Sequence, residues 1–203
     1  MDSALEGLVR QIHASPVRCV LYLTGGGSRA LSYLLCEPGA SRTLLEAAVP
    51  YSEESLAALL GRQPKRAVSA EVAAELARRA LARARDLTHR VKAANPARVN
   101  RALARARDLT QAAPAVIGLS CTAALATDRP RRGAHKCFVA TGGHETGQIR
   151  ELGLTKGART RAEEEEVVAR LILNALAEAC GLGGRLDLGL LPGEQVRDVT
   201  PDA

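Results

Sequence analysis

Apolar residues recur along this chain in two patterns, short continuous runs and stripes spaced three or four positions apart. The runs are typical of buried strands, and they cover Cys19–Leu23, Ala115–Leu119 and Lys136–Thr141. A fourth strand over Gln148–Leu154 would pair with the third as a hairpin. The helical stripes lie at residues 3–14, around Leu31–Leu35, and at residues 52–61, 70–87 and 161–180. Strands that alternate with helices at these lengths predict an α/β fold, a three-layer αβα sandwich with a mixed sheet.

Polar residues mark the ends of several of these helices. Ser52, Ser69 and Thr160 each precede an amphipathic stretch and predict N-caps, and Gly61 predicts a helix end. Between the second and third helices, residues 43–51 predict a short helical turn followed by an irregular strand. Pro50 excludes a central position for that strand, because proline cannot donate to a ladder of backbone hydrogen bonds.

A glycine-rich turn follows the first strand and runs directly into a helix. It comprises Thr24, Gly25, Gly26, Gly27 and Ser28. Backbone N–H groups are left without partners at a helix start, where the helix dipole also favours an anion. The turn therefore predicts binding of a phosphate or carboxylate, and a plain tight turn is the competing interpretation.

Length and composition indicate one domain over residues 1–180 and a Gly- and Pro-punctuated, flexible tail over residues 181–203. The 203 residues include three Tyr, one Phe and no Trp, so aliphatic side chains must fill the core. The sequence contains no apolar run long enough to span a membrane and no secretory signal pattern. We therefore expect a soluble, cytoplasmic protein that does not contact membranes.

Cysteines and histidines show no metal-ligand spacing. The five cysteines include no C-x-x-C pair, and the four histidines are scattered. This pattern favours a reducing compartment, and it predicts neither a metal site nor a cofactor.

The sequence ALARARDLT at residues 80–88 recurs unchanged at residues 102–110. The offset of 22 residues is close to six helical turns, so both copies would turn the same face inward. Residues 78–108 hold ten Lys or Arg against two Asp, which predicts a duplicated basic helical segment near residues 78–110. A solvated helix face is favoured over a nucleic-acid surface, because no aromatic residues stand ready to stack on bases. A scaffold that docks an acidic partner is a further alternative.

Five short motifs occur in an order that resembles a known family. They are TGG at 24–26, PGAS at 38–41, Tyr51-Ser52 before a helix ending in LLG, a strand ending at Thr122, and Gly-x-Arg ending at Arg159. This order, over about residues 17–180, resembles the C-terminal domain of the CinA family, which includes the nicotinamide-nucleotide amidases. It looks closest to the CinA-like domain of plant and algal proteins with a following nucleotidylyltransferase-like domain. The resemblance also implies a homo-oligomer.

The resemblance breaks at the two residues that perform the amidase reaction. The family pattern A-E-S-C-T-G-G supplies a serine nucleophile and Y-S-N-E-A-K supplies a supporting lysine, but these positions hold Tyr22 and Leu56. A hydroxyl needs a neighbouring base to become a nucleophile, and tyrosine with its pKa of about 10 stays protonated. Thr122 matches the family's assisting threonine.

Two main hypotheses follow. In the first, the chain is a CinA-type nucleotide-binding domain that has lost amidase chemistry. Its ligand is nicotinamide mononucleotide or a related nucleotide, held by Thr24, Gly25, Gly26, Gly27, Tyr51, Ser52 and Arg159. In the second, the chain is an active amidase that releases ammonia from that nucleotide. Ser28 would then be the relocated nucleophile, aided by Thr122 and by a lysine drawn from Lys65, Lys136 or Lys156.

Overall fold

A computed structural model describes residues 2–94, 115–128, 132–143 and 147–201. The strands are β1 (Arg18–Thr24), β2 (Leu44–Ala48), β3 (Val116–Ala124), β4 (His135–Gly142), β5 (Gln148–Leu154) and β6 (Val196–Asp198). The helices are α1 (Ser3–Ala14), α2 (Arg29–Cys36), α3 (Ala40–Thr43), α4 (Glu53–Leu60), α5 (Ala70–Ala94) and α6 (Arg161–Ala179). No helix within these ranges is both long enough and apolar enough to cross a membrane.

The six strands form one mixed sheet in the order β2-β1-β3-β4-β5-β6. Strand β1 is parallel to both of its neighbours, and each pair from β3 to β6 is antiparallel. Helices cover both faces, so the three-layer sandwich and the mixed sheet that the sequence predicts are confirmed. The hairpin predicted between the third and fourth sequence runs is also present as β4 and β5.

Two apolar layers enclose the sheet. On one face, Leu21 of β1 packs in a cluster with residues of α1, α2 and α6. On the other face, Val20 packs in a cluster with residues of α4 and α5. Both β1 residues are fully buried. The continuous apolar run of β1 is therefore explained by its interior position between β2 and β3, with helices on either face of the sheet.

Capping residues lie at the helix ends that the sequence predicts. The hydroxyl of Ser52 accepts from the N–H of Ser55, and Thr160 forms a reciprocal capping box with Glu163 at the start of α6. Gly61 ends α4 in the left-handed conformation, with φ at 68°. For residues 43–51 the prediction is correct in part. The edge strand β2 is present, but the helical turn lies earlier, as α3, and residues from Leu44 onward are already strand.

Helix α5 lies against the sheet at backbone contact distance. A Cβ atom on Gly118 of β3 would be 2.2 Å from both the carbonyl oxygen of Ala77 and the nitrogen of Leu81. The first copy of the duplicated sequence, residues 80–88, belongs to α5, and its Arg83 forms an ion pair with Glu46. The second copy, residues 102–110, lies outside the described residues.

The C-terminal segment differs from the flexible tail that the sequence predicts. Leu186 is buried in the core, and its N–H and C=O bond to the side chain of Asn174. Beyond it, β6 pairs with β5 as an antiparallel edge strand. The leucines of this segment supply apolar contacts that glycine and proline content alone does not reveal.

A buried ion pair holds this segment to the start of α6. Nη1 of Arg159 donates to both carboxylate oxygens of Glu194, at 2.7 and 2.9 Å, and the carboxylate side chain is only 2% exposed. Burial opposes ionisation of Glu194, but Arg159 and the N–H groups of Thr155 and Leu191 together outweigh it and lower the pKa to about 2.

We expect Gly118→Ala to lower the free energy of unfolding by about 2–3 kcal/mol, because the added methyl group collides with the α5 backbone. Gly153→Ala in β5 is the matched control, since a Cβ there meets no atom within 4 Å, and it should change stability by less than about 0.5 kcal/mol. Urea unfolding of both variants measures the difference. Equal losses would contradict the close contact between α5 and β3.

The Glu194 carboxylate should make stability depend on acid. Its pKa falls from 4.5 to about 2 on folding, so its contribution is complete above pH 4.5 and is lost as the pH falls toward 2. The stability difference between the wild type and Glu194→Gln should therefore be largest near neutral pH and shrink across that window. A difference that stays constant from pH 7 to pH 2.5 would contradict the ion pair.

Candidate functional site

The ends of β1 and β3 meet at one edge of the sheet. These two strands run parallel, and their last paired residues are Thr24 and Thr122. The hydroxyl of Thr24 donates to the carbonyl of Pro50 at 2.8 Å, which fixes the chain that leads into α4 beside this edge. Ligands in α/β sheets commonly bind where parallel strands end, so this edge is the first candidate site.

Thr122 carries an unpaired polar atom at this edge. Its side chain is fully buried, and its Oγ1 has no hydrogen-bond partner among the described residues. Leaving a buried hydroxyl unpaired costs about 1–3 kcal/mol. The neighbouring Ser120, on the same face of β3, avoids this cost by donating to the carbonyl of Ala73. An orphaned group of this kind calls for a bound water or ligand as its partner.

The chain after Pro50 exposes polar and aromatic groups next to Thr24. Tyr51 is 70% exposed, and the exposed Ser52 caps α4. Of the residues predicted to bind a nucleotide, the structure thus brings Thr24, Tyr51 and Ser52 together, with Thr122 alongside.

The glycine turn is packed tightly rather than left open. Gly25 has φ of 77°, and a Cβ there would lie 1.9 Å from the carbonyl oxygen of Ala123. A Cβ on Gly27 would lie 2.4 Å from Cδ1 of Ile172 in α6. These glycines allow β1 and α2 to approach β3 and α6 at distances that no side chain would permit.

A carboxylate of the protein itself occupies the helix start at this turn. The N–H of Gly27 donates to Oε2 of Glu165 at 2.6 Å. Arg161 pairs with the other oxygen of Glu165 at 3.3 Å and donates to the carbonyl of Gly25 at 2.8 Å. The prediction that this turn suits an anion is consistent with the contact, although the anion found there is internal.

The arginine that contacts the glycine turn is Arg161, two residues after the one that the sequence motif singles out. Arg159 instead holds Glu194 and the carbonyl of Gly189. Its guanidinium therefore contacts the C-terminal segment. The spacing of Arg161 and Glu165, four residues apart at a helix start, was the available signal for their pairing.

The candidates for a relocated catalytic pair belong to different elements of the fold. Ser28 is exposed at the start of α2 and makes no side-chain capping bond. Lys136, on β4, pairs with Glu151 at 3.2 Å and lies 4.7 Å above the ring of Phe138. Lys65 lies in the loop after α4, and Lys156 follows β5.

Tyr22 and Leu56, which stand where the family pattern has its serine and lysine, share one buried apolar cluster. Their exposed fractions are 5% and 3%. The phenol of Tyr22 donates to Glu46 at 3.4 Å, and burial together with the nearby Glu46 carboxylate raises its pKa. The two positions therefore belong to the same part of the core, and both hold packing side chains.

Within the described ranges, no group of three His, Cys, Asp or Glu side chains is placed to hold an ion.

Comparisons by sequence and by structure give different results. No protein-family model matches the sequence, and none of the curated proteins does. Solved structures do match. The competence/damage-inducible protein CihA from Agrobacterium tumefaciens superposes with a TM-score of 0.60 and 17% identity, over 89% of this chain and 98% of that one.

Two further structures give the same result. A CinA superfamily protein from Klebsiella pneumoniae matches with a TM-score of 0.59 and 13% identity, over 89% of this chain and 99% of the other. One from Escherichia coli matches with a TM-score of 0.58 and 14% identity, over 88% and 92%. At such identities the likeness is one of fold. The chain therefore has the fold of the competence/damage-inducible CinA proteins.

Proposed function

We propose that this chain is a CinA-type nucleotide-binding domain without the amidase pair. The observation that carries the proposal is the buried cluster in which Tyr22 and Leu56 pack together. The motif order identifies these positions as the nucleophile and its lysine, and the CinA fold supports that correspondence.

Neither side chain can perform the family's chemistry. The raised pKa of Tyr22 keeps its phenol protonated at neutral pH. Among the residues that the structure describes, the hydroxyl donates to the Glu46 carboxylate, which also pairs with Arg83. Leu56 transfers no proton. Loss of both members of a cooperating pair removes the reaction rather than slowing one step.

A pocket next to Leu56 provides room for the ligand. It has a volume of about 290 Å³ and is lined by Glu53, Leu56, Gln63, Pro64, Lys65 and Ala67. This volume is near the lower end of small-molecule sites. Tyr51 precedes the pocket in sequence and exposes its ring, so it can stack on a base, a contact that does not depend on base identity.

Lys65 is the cation that we assign to the ligand's phosphate. It is exposed, lines this pocket, and forms no ion pair within the described part of the chain. The glycine turn and Arg159 stay predictions as phosphate ligands. For them to bind phosphate, Glu165 would have to leave Gly27 and Glu194 would have to leave Arg159.

One observation favours the amidase as a second candidate. The hydroxyl of Ser28 is exposed and is not used as a helix cap, so it is free to react if a base approaches it. The homo-oligomer and the docking of an acidic partner stay predictions, and the second basic copy lies outside the described residues.

Calorimetric titration with nicotinamide mononucleotide tests the binding site. We expect saturable binding that Lys65→Gln weakens by about tenfold, because a charge-assisted contact to the phosphate is lost. Arg66→Gln is the matched control, since Arg66 is an exposed cation next in sequence that does not line the pocket. Nicotinamide riboside, which lacks the phosphate, should bind both variants equally. No heat and no thermal shift at millimolar nucleotide would contradict the proposal.

Ammonia release distinguishes the two candidate functions. The wild type should release no ammonia from nicotinamide mononucleotide above the blank, while a CinA-family amidase run in parallel does. If release is found, Ser28→Ala decides its origin. Loss of activity in that variant would establish the relocated amidase, and unchanged activity would place the nucleophile elsewhere.

A further inference from the structure

Three polar side chains with different hydrogen-bonding chemistry line the pocket beside α4. The carboxylate of Glu53 only accepts, the ammonium of Lys65 only donates, and the amide of Gln63 does both. None of the three forms a side-chain hydrogen bond or an ion pair with another described residue. All three are exposed, so a bound molecule can take up their hydrogen bonds without breaking a contact within the protein.

Helix α4 and the loop behind it place these side chains around one cavity. Glu53 begins α4 and Leu56 lies three residues later, so both project from one side of the helix. Gly61 ends the helix, and the loop that follows carries Gln63 and Lys65. Leu56 is buried, whereas the polar side chains are exposed. The pocket therefore has an apolar inner wall and a polar rim.

The two charges of this rim do not neutralise each other. No ion pair joins Glu53 to Lys65 within the described part of the chain. Arg62, in the same loop, behaves differently, because it pairs with Glu71 and Glu75 of α5. The rim thus presents a negative and a positive group that are both uncommitted, and a small molecule with charges of both signs complements it.

Nicotinamide mononucleotide has this distribution of charge. Its N-glycosylated ring is positively charged and carries an uncharged carboxamide, and its phosphate is negative. A carboxylate suits the ring end of such a molecule, because it attracts the ring's charge and accepts from the amide N–H. An ammonium suits the phosphate end.

We propose that Glu53 selects the amide form of this nucleotide over the corresponding acid, an inference that rests on the binding function proposed above. Glu53 accepts a hydrogen bond from the carboxamide N–H, Gln63 donates to the carboxamide oxygen, and Lys65 binds the phosphate. In nicotinic acid mononucleotide a carboxylate replaces the amide, so two like charges meet at Glu53 and the donor is lost. The family pattern Y-S-N-E-A-K has asparagine at this position, so the carboxylate is a feature of this chain.

Calorimetric titration with the amide and the acid nucleotides tests this selection. We expect the wild type to bind the amide form at least about tenfold more tightly than the acid form. Glu53→Gln should reduce that ratio to about threefold or less, mainly because the acid form binds more tightly once the like charge is removed. Thermal unfolding checks that the substitution of this exposed side chain leaves the fold intact.

Glu54→Gln is the matched control. Glu54 is exposed on the same first turn of α4 but does not line the pocket, so this variant should keep the wild-type ratio. The ratio also separates selection from a purely structural role, because a carboxylate that only stabilises the start of the helix affects the binding of both nucleotides alike.

The outcomes separate this selection from the binding function on which it rests. Equal affinities of the wild type for the two nucleotides, or tighter binding of the acid form, would overturn selection by Glu53 and leave the binding function standing. The same ratio in Glu53→Gln and Glu54→Gln would do so as well. Binding of neither nucleotide would overturn the binding function, and the selection with it.

Discussion

Close approach of backbones at glycine positions holds the three layers together. Gly118 lets α5 contact the central strand β3 on one face, while Gly25 and Gly27 let the first turn contact β3 and α6 on the other. A Cβ at any of these positions would fall within 2.4 Å of another residue's atom. The candidate site depends on this packing, because the same contacts set where β1 and β3 end and how closely α4 and α5 flank that edge.

Helix α6 distributes its glutamates among the surrounding elements. Glu163 closes the helix's own capping box, Glu164 bonds His135 and Ala126, and Glu165 bonds Gly27. Glu166 then accepts from Tyr33 and Arg29 of α2. Consecutive positions on a helix point about 100° apart, so four acids in a row contact four different parts of the molecule. The start of α6 is therefore the junction through which the glycine turn, the β3–β4 connection and α2 are fixed relative to one another.

Local features were predictable from the sequence because local physics determines them. The N-caps at Ser52 and Thr160, the buried run of β1 and the hairpin all follow from spacing and from turn chemistry. The same pattern correctly gave the αβα sandwich. Partners distant in the chain were not predictable in this way. From the sequence alone, the acids of α6 indicate only favourable charges at a helix start. No local sequence pattern indicates which of them contacts Gly27.

The C-terminal segment shows the same limit of local patterns, because its composition does not reveal its contacts with residues distant in the chain. Its glycines and prolines predict flexibility, yet Glu194 is held by Arg159 from 35 positions earlier, and Leu186 fills a space bounded by α6. Both interactions depend on the folded sheet being present. For the candidate site, the motif order singled out Thr24, Tyr51, Ser52 and Thr122, whose binding role stays a prediction. The pocket beside Lys65 depends on the path of the loop after α4, which no local pattern indicates.

The packing of Tyr22 and Leu56 also has a consequence for the amidase-free function proposed above. A serine at position 22 would leave the volume of a phenol ring empty beneath α4, and truncations of this size in a core cost about 3–5 kcal/mol. A lysine at position 56 would place a charge among aliphatic side chains that offer it no partner. Each change alone is destabilising and supplies only one member of the pair, so under the proposed function the filled core opposes a stepwise return to hydrolysis.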